Sequence, residues 1–199
     1  MFVAFEGGEG TGKSTQARLL AERLGPGCVL TREPGGTPVG ESLRRLVLDD
    51  TDARLTPRTE ALIFAAARAQ HAAEVLRPAI AAGRHVVTDR YIGSSLAYQG
   101  AGRALGVDEV RAINRFATDG LWPDVTLLLV VPAEVRDARL AARGRVADKL
   151  ESEASAFHDQ VEVAFRFLAM KDPTWLVVDG GGAVDEVAAA VWDALEPFR

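Results

Sequence analysis

The sequence predicts a doubly wound α/β fold, with five parallel strands flanked by helices, and three observations carry that prediction. Apolar strand-like runs alternate with helical periodicities along the 199 residues, the pattern of a parallel sheet with helical crossovers. A glycine-rich loop joins the first apolar run to the first helical stretch. The fourth run, 125–131, is the most uninterrupted of them, apolar but for Thr126, as expected of a strand buried on both faces. The length suits one domain with a sizeable core, and no repeat, low-complexity tract or linker divides it.

The elements follow in order. Residues 2–6 read as strand 1 and 13–24 as a helix with Ala17, Leu19, Leu20 and Leu24 in period, stopped by Gly25-Pro26-Gly27. Strand 2 is predicted at 28–31, followed by the loop Arg32-Glu33-Pro34-Gly35-Gly36-Thr37 and a short helix at 39–47. Thr56-Pro57 marks a helix start, cap then proline, and the alanine-rich helix runs to 82. Strand 3 is predicted at 85–88, closed by Asp89-Arg90-Tyr91. A helical segment at 94–98 is expected to break at Gly100-Ala101-Gly102, before a helix at 108–118. After strand 4 come helices at 134–143 and 151–170, separated by a break at 144–149. Strand 5 is predicted at 175–178 and a last helix at 184–195, with Val184, Val187, Val191 and Leu195 on one face.

Composition bounds the function. Hydrophobic content of 48% and charged content of 26% are those of an ordinary globular protein. A net charge of −5 offers no basic field for nucleic acid. The one cysteine, Cys28, has no partner for an internal disulfide and reads as core filler. No apolar run reaches the ~18 residues of a membrane span, and no leader pattern opens the chain, so a cytoplasmic location is expected.

The chemistry begins with Gly7-Gly8-Glu9-Gly10-Thr11-Gly12-Lys13-Ser14-Thr15. Strand, G-x-x-x-x-G-K-S and helix in succession define a P-loop, and the fold class sharpens to a P-loop NTPase. Its glycines let the backbone wrap a phosphate chain, with N–H groups and the helix start facing the anion. Lys13 is expected on the β/γ-phosphates of ATP, and Ser14 on Mg²⁺. Asp89, ending a strand, is the second metal candidate, reaching the ion directly or through water; Glu33 is a third. Arg90 beside Asp89 has the planar fork that clamps a phosphate. Glu9 either accepts from a sugar hydroxyl or turns out to water. Phe64 and Arg68 share a helix face: they suit a flat heterocycle, or are a core phenylalanine and a solvated arginine. Ser94, Ser95, Tyr98 and Gln99 either line a polar pocket or form a helix start with surface residues. Arg136, Arg139 and Arg143 make a cationic stripe leading into Arg145 and Lys149, either a lid over phosphates or a solvated face. His71, His85 and His158 show no metal-ligand spacing.

Together the P-loop, the Thr31-Arg32-Glu33-Pro34-Gly35-Gly36-Thr37 loop, the segment 65–71, and Asp89-Arg90-Tyr91 with 94–100 resemble the thymidylate kinases over essentially the whole chain. The resemblance implies transfer of the γ-phosphoryl of Mg·ATP to dTMP and a homodimer. It implies Phe64 under the thymine, Arg68 at its O4 edge and Ser95 near the base. It further implies Arg32 and Arg90 on the acceptor phosphate, Glu9 at the 3′-hydroxyl, and Tyr98 where a 2′-hydroxyl would sit. Gly10 stands where some relatives carry a basic P-loop residue, so the lid, about 143–150, must supply the catalytic cation, Arg143 or Arg145. Lys149 departs from an arginine in many relatives and cannot form the same fork. The rivals are a kinase for another nucleotide or nucleoside, and a nucleotide-dependent switch. The only asparagine, Asn114, is not followed by the K-x-D that a guanine-reading switch needs.

Overall fold

The computed structural model describes residues 1–49, 54–142, 144 and 148–199. Five parallel strands form one sheet in the order β2-β3-β1-β4-β5, with β1 Phe2–Glu6, β2 Val29–Arg32, β3 Val86–Asp89, β4 Val125–Val130 and β5 Trp175–Asp179. The central strand β1 is buried at every residue, and β4 at all but its last, as their apolar runs require. β2, at an edge, alternates between half-buried and exposed. Register aligns the functional ends: Phe5 lies level with Asp89, and Arg32 with Asp89. The loops that carry the motifs therefore emerge along one edge of the sheet.

The helices are α1 Lys13–Leu24, α2 Pro38–Leu48, α3 Pro57–His71, α4 Arg77–Ala81, α5 Ile92–Ser95, α6 Val107–Thr118, α7 Ala133–Ala142, α8 Ser155–Lys171 and α9 Val184–Ala194. Thr56 caps α3 as predicted, accepting from Thr59 N–H. One core packs α1 and α9 on the sheet through Ala17, Leu20, Val187 and Val191. The other packs Tyr91, Ile92, Leu96 and Phe165 on the opposite face. A smaller cluster of Val47, Leu48 and Phe64 joins α2 to α3.

Four expectations change. The alanine-rich helix is not regular: a π turn over Ala72–Leu76 separates α3 from α4. Pro78 follows at once; it has no N–H for the turn before it, and the widened turn accommodates its ring. Gly100-Ala101-Gly102 does not break the chain but continues a π-helical run, Leu96–Gly102. These glycines serve close packing, since a Cβ on Gly102 would stand 2.7 Å from Phe157 and one on Gly100 3.1 Å from the Val107 backbone. α8 starts at Ser155 rather than at residue 151, because Asp148 Oδ1 accepts from the N–H groups of Leu150 and Glu151 and holds them in a turn. Val184, placed on the buried face of the last helix, is exposed, while Val187, Val191 and Leu195 are buried.

Candidate active site

The phosphate loop is built at the end of β1. Gly7 has φ +133°, and a Cβ there would lie 2.4 Å from the Leu129 carbonyl oxygen, so only glycine fits. Lys13 folds back over the loop and is buried, with Nζ donating to the Gly8 carbonyl at 2.6 Å and to Thr11 Oγ1 at 3.4 Å. Burial and the Arg90 charge lower its pKa to about 8, against the pull of Glu9, Asp89 and Glu6. Ser14 Oγ donates to Asp89 Oδ2. Asp89 Oδ1 is buried and meets no hydrogen-bond partner among the described residues. An orphaned carboxylate oxygen beside a hydroxyl is the donor chemistry that Mg²⁺ takes. Among the described residues no three His, Cys, Asp or Glu side chains are grouped so that they could hold a metal ion by themselves.

Arg90 sits next to this pair with φ +71°. Its Nη1 donates to the Gly7 carbonyl and to Ser94 Oγ, both at 3.0 Å. Its Nη2 pairs with Glu9 and reaches Tyr98 OH at 3.5 Å, while the guanidinium stands 5.3 Å from the Tyr98 ring centroid. Burial opposes the Arg90 charge, but Tyr98, Glu9, Asp89 and Glu6 outweigh it and push the pKa up. Burial also raises the Tyr98 phenol to about 12. Glu9, which the sequence left between sugar and solvent, turns inward onto Arg90.

Glu6 is a functional residue the sequence reading treated only as a strand end. It is wholly buried, and its Oε1 accepts from the N–H groups of Tyr91 and Ser94, both at 2.9 Å, while Oε2 accepts from Ser94 Oγ at 2.6 Å. Burial raises its pKa, against the Ser94 and Arg90 interactions. It thereby fixes the turn that presents Arg90 and Ser94. An acid closing an otherwise apolar buried strand was the available signal.

The other half of the site is apolar and amide-lined. Phe64 belongs to the core yet lines a cavity of about 300 Å³ that also takes in Lys13, Ser14, Asp89, Arg90 and Arg68. Arg68 is not solvated but 3% exposed. Its Nε donates to Glu33 Oε2 at 2.6 Å, Nη1 to Ser95 Oγ at 2.9 Å and to Asn114, and Nη2 to the Tyr91 carbonyl at 3.1 Å. Four of the five guanidinium N–H donors are thus engaged. Ser95 and Gln99 also line the cavity, so both belong to the pocket rather than the surface.

Glu33, the third metal candidate, has both carboxylate oxygens engaged: Arg68 Nε donates to one at 2.6 Å, and His71 Nδ1 meets the other at 2.8 Å. His71, which shows no metal-ligand spacing in the sequence, is fully buried and meets Thr31 Oγ1 through Nε2 at 2.7 Å. Arg32 stands at the cavity rim and pairs with Glu41 at 2.8 Å. Arg44 on α2 also lines the cavity and donates to the Pro34 carbonyl at 2.9 Å.

The predicted cationic stripe divides. Arg136 pairs with Asp137 at 3.0 Å and Glu162 at 3.7 Å. Arg139 reaches over the loop after β5, donating to the carbonyls of Gly180 at 2.9 Å and Gly182 at 3.3 Å, near Gly12. Arg143 and Arg145 lie outside the described residues. Past them, Asp148, Leu150 and Glu151 line the cavity. Burial raises the Glu151 pKa, and the carboxylates of Glu9 and Asp148 add to it. The Lys149 N–H bonds the Leu48 carbonyl at 3.3 Å, tying this segment to α2.

A parallel sheet with a P-loop on its central strand, a Ser14–Asp89 pair beside it and one cavity reaching from that pair to Phe64 and Arg68 is the architecture of a P-loop nucleotide kinase. The thymidylate kinase family model matches residues 5–191. Thymidylate kinases from Synechococcus sp. (strain JA-3-3Ab) and Thermomicrobium roseum are each 48% identical, covering 99% and 96% of this chain and 96% and 92% of their own. The crystal structure of thymidylate kinase from Ehrlichia chaffeensis superposes with TM-score 0.81 at 30% identity, covering 98% of both chains. The chain belongs to the thymidylate kinase family.

Proposed function

We propose that the protein transfers the γ-phosphoryl of Mg·ATP to the 5′-phosphate of dTMP, giving dTDP and ADP. One observation carries this reading: a single cavity joins the phosphate end, Lys13, Ser14 and Asp89, to a pocket with the Phe64 ring and Arg68, with Arg90 between them. The acceptor phosphate is ionised near neutral pH, so the site needs no strong base; positioning and charge neutralisation suffice.

The loop amides and Lys13 hold the donor phosphates, with Gly7 to Thr15 as the donor site. Ser14 and Asp89 would hold Mg²⁺, which would supply charge neutralisation to the donor phosphates. Arg90 and Arg32 align the acceptor phosphate, and Glu9 meets the 3′-hydroxyl. Phe64 stacks on thymine, Arg68 donates to its O4, and Ser94, Ser95 and Gln99 complete the pocket. The Tyr98 ring fills the space a ribose 2′-hydroxyl would need. Arg139, over 180–182, faces adenine. Residues 143–150 close as a lid, Arg143 with Arg145 supplying the catalytic cation and excluding water. The protein works in the cytoplasm, where its nucleotide substrates are made, and as a homodimer.

An ADP-release assay with a panel of nucleoside monophosphates and nucleosides tests this. dTMP should be the best acceptor, and strong turnover only with another nucleotide would overturn the reading. Arg143→Ala should lower kcat by about 10²-fold or more with little change in the dTMP KM, as arginine fingers do. Wild-type kcat in that variant would move the catalytic cation elsewhere.

A further inference from the structure

Gln99 is 2% exposed and lines the cavity with Phe64 and Arg68. Its Nε2 donates to Glu60 Oε1 at 2.9 Å. Arg103 grips the same carboxylate in a fork, Nε to Oε1 at 3.2 Å and Nη2 to Oε2 at 3.0 Å. Arg103 is itself fixed by Glu153 at 2.6 Å and by the Phe157 ring, 4.8 Å below its guanidinium. Neither Glu60 nor Arg103 lines the cavity.

A glutamine amide has two ends of nearly equal shape and opposite hydrogen-bond sense. An ion-paired carboxylate offers acceptors only, so it dictates which end meets it. With the nitrogen turned to Glu60, the carbonyl oxygen of Gln99 is left for the cavity. In the same cavity lining, Arg68 has one N–H beyond the four engaged by Glu33, Ser95, Asn114 and Tyr91. The lining therefore holds both a donor and an acceptor.

We propose that Glu60, held by Arg103, is a positioning residue that sets the base specificity of the acceptor site by locking the Gln99 amide with its oxygen toward the ring. This rests on the dTMP reading above. A keto pyrimidine presents a carbonyl next to a ring N–H and matches the Arg68–Gln99 pair. An aminopyrimidine presents an amino group next to a ring lone pair and opposes both. A buried polar site left unpaired by the wrong ring rejects it more strongly than an apolar pocket does.

The test is a double-mutant cycle on the dTMP KM and kcat at saturating ATP, with dCMP measured as a competitive inhibitor. Glu60→Gln keeps the shape but lets either amide end face Gln99. It should raise the dTMP KM about fivefold to tenfold, the loss of one hydrogen bond, with kcat within twofold. The preference for dTMP over dCMP should fall by a similar factor. Placed in a Gln99→Leu background, Glu60→Gln should change the KM no further, because its effect passes through the amide. Arg103→Met, which keeps the stem over Phe157, should repeat the result and serves alone if Glu60→Gln does not fold. An unchanged KM in these variants, or an equal increment with and without Gln99, overturns the proposal while leaving the kinase assignment standing. A wild-type protein that neither binds nor phosphorylates dTMP overturns both.

Discussion

Lys13 has the most consequential environment of any single residue. It is a buried amine whose pKa burial has lowered to about 8, in a site that must receive a triphosphate. In the unliganded protein its charge is complete below that value and is lost as pH rises through it. Bound phosphates restore the charge, so the effect belongs to the free enzyme. The prediction is that kcat/KM for ATP, which reports free-enzyme groups, declines above pH about 8 towards tenfold per unit, while kcat bends at higher pH. A pH-rate series from 7 to 10 measures both, and a flat kcat/KM would show that Lys13 keeps its proton. The unpaired Asp89 Oδ1 gives a second test. Asp89→Asn should raise the Mg²⁺ needed for half-maximal rate by about tenfold or more, the scale seen when metal-site partners are altered. An unchanged Mg²⁺ titration would place the ion elsewhere.

At the scale of elements, the loop between β2 and α2 is the piece whose packing reaches furthest. Gly36 has φ +79°, and a Cβ there would stand 2.8 Å from His71 Cδ2 and 3.0 Å from Thr31 Oγ1. Gly36→Ala therefore meets left-handed strain, about 1–2 kcal/mol, and overpacking of about 1–3 kcal/mol. For a chain of this size that total should lower Tm by roughly 4–20 °C, and the displaced His71 and Glu33 should loosen Arg68 and raise the dTMP KM. Gly27→Ala, with no atom within 4 Å of the new Cβ, should stay within about 0.5 kcal/mol of wild type. Calorimetry of the two variants side by side settles it: equal Tm values would mean that the loop yields freely. The same loop shows what a sequence reveals and what it hides. The strands, the P-loop, Asp89 and Arg90 were legible because each motif is local: an apolar run, then the chemistry at its end. The roles of Glu6, Glu33 and His71 were not, because their hydrogen bonds span 35 to 88 residues and leave no periodic trace. Glu33 reads as a metal candidate in its Pro/Gly loop because nothing nearby in the chain announces the arginine from α3 that pairs with it. Gly100 and Gly102 read as a break because close helix packing and a turn call for the same residue.

At the scale of the whole molecule, the apolar surface left on one side of the chain bears on assembly. α3 packs between α2 and α6, and Phe116 on α6 is 90% exposed while Leu62 on α3 is 56% exposed. Large apolar side chains on adjoining helices mark an interaction surface more often than a solvent face, and a twofold contact would cover both copies of this patch at once. A second apolar stripe, Val163, Phe167 and Met170, runs along α8 at helical spacing, but Lys171 lies 5.5 Å from the Phe167 ring and shields part of it. The α3–α6 face is therefore the expected homodimer contact. It leaves the cavity clear, since neither Leu62 nor Phe116 lines it. Sedimentation equilibrium should give twice the 21.3 kDa chain mass. Leu62→Asp with Phe116→Asp should shift the protein to monomer, because each charge would have to be desolvated against its symmetry mate at a cost of several kcal/mol. Val163→Asp with Met170→Asp should leave the dimer intact. If the α8 pair dissociates the dimer and the α3–α6 pair does not, the interface lies on the other face.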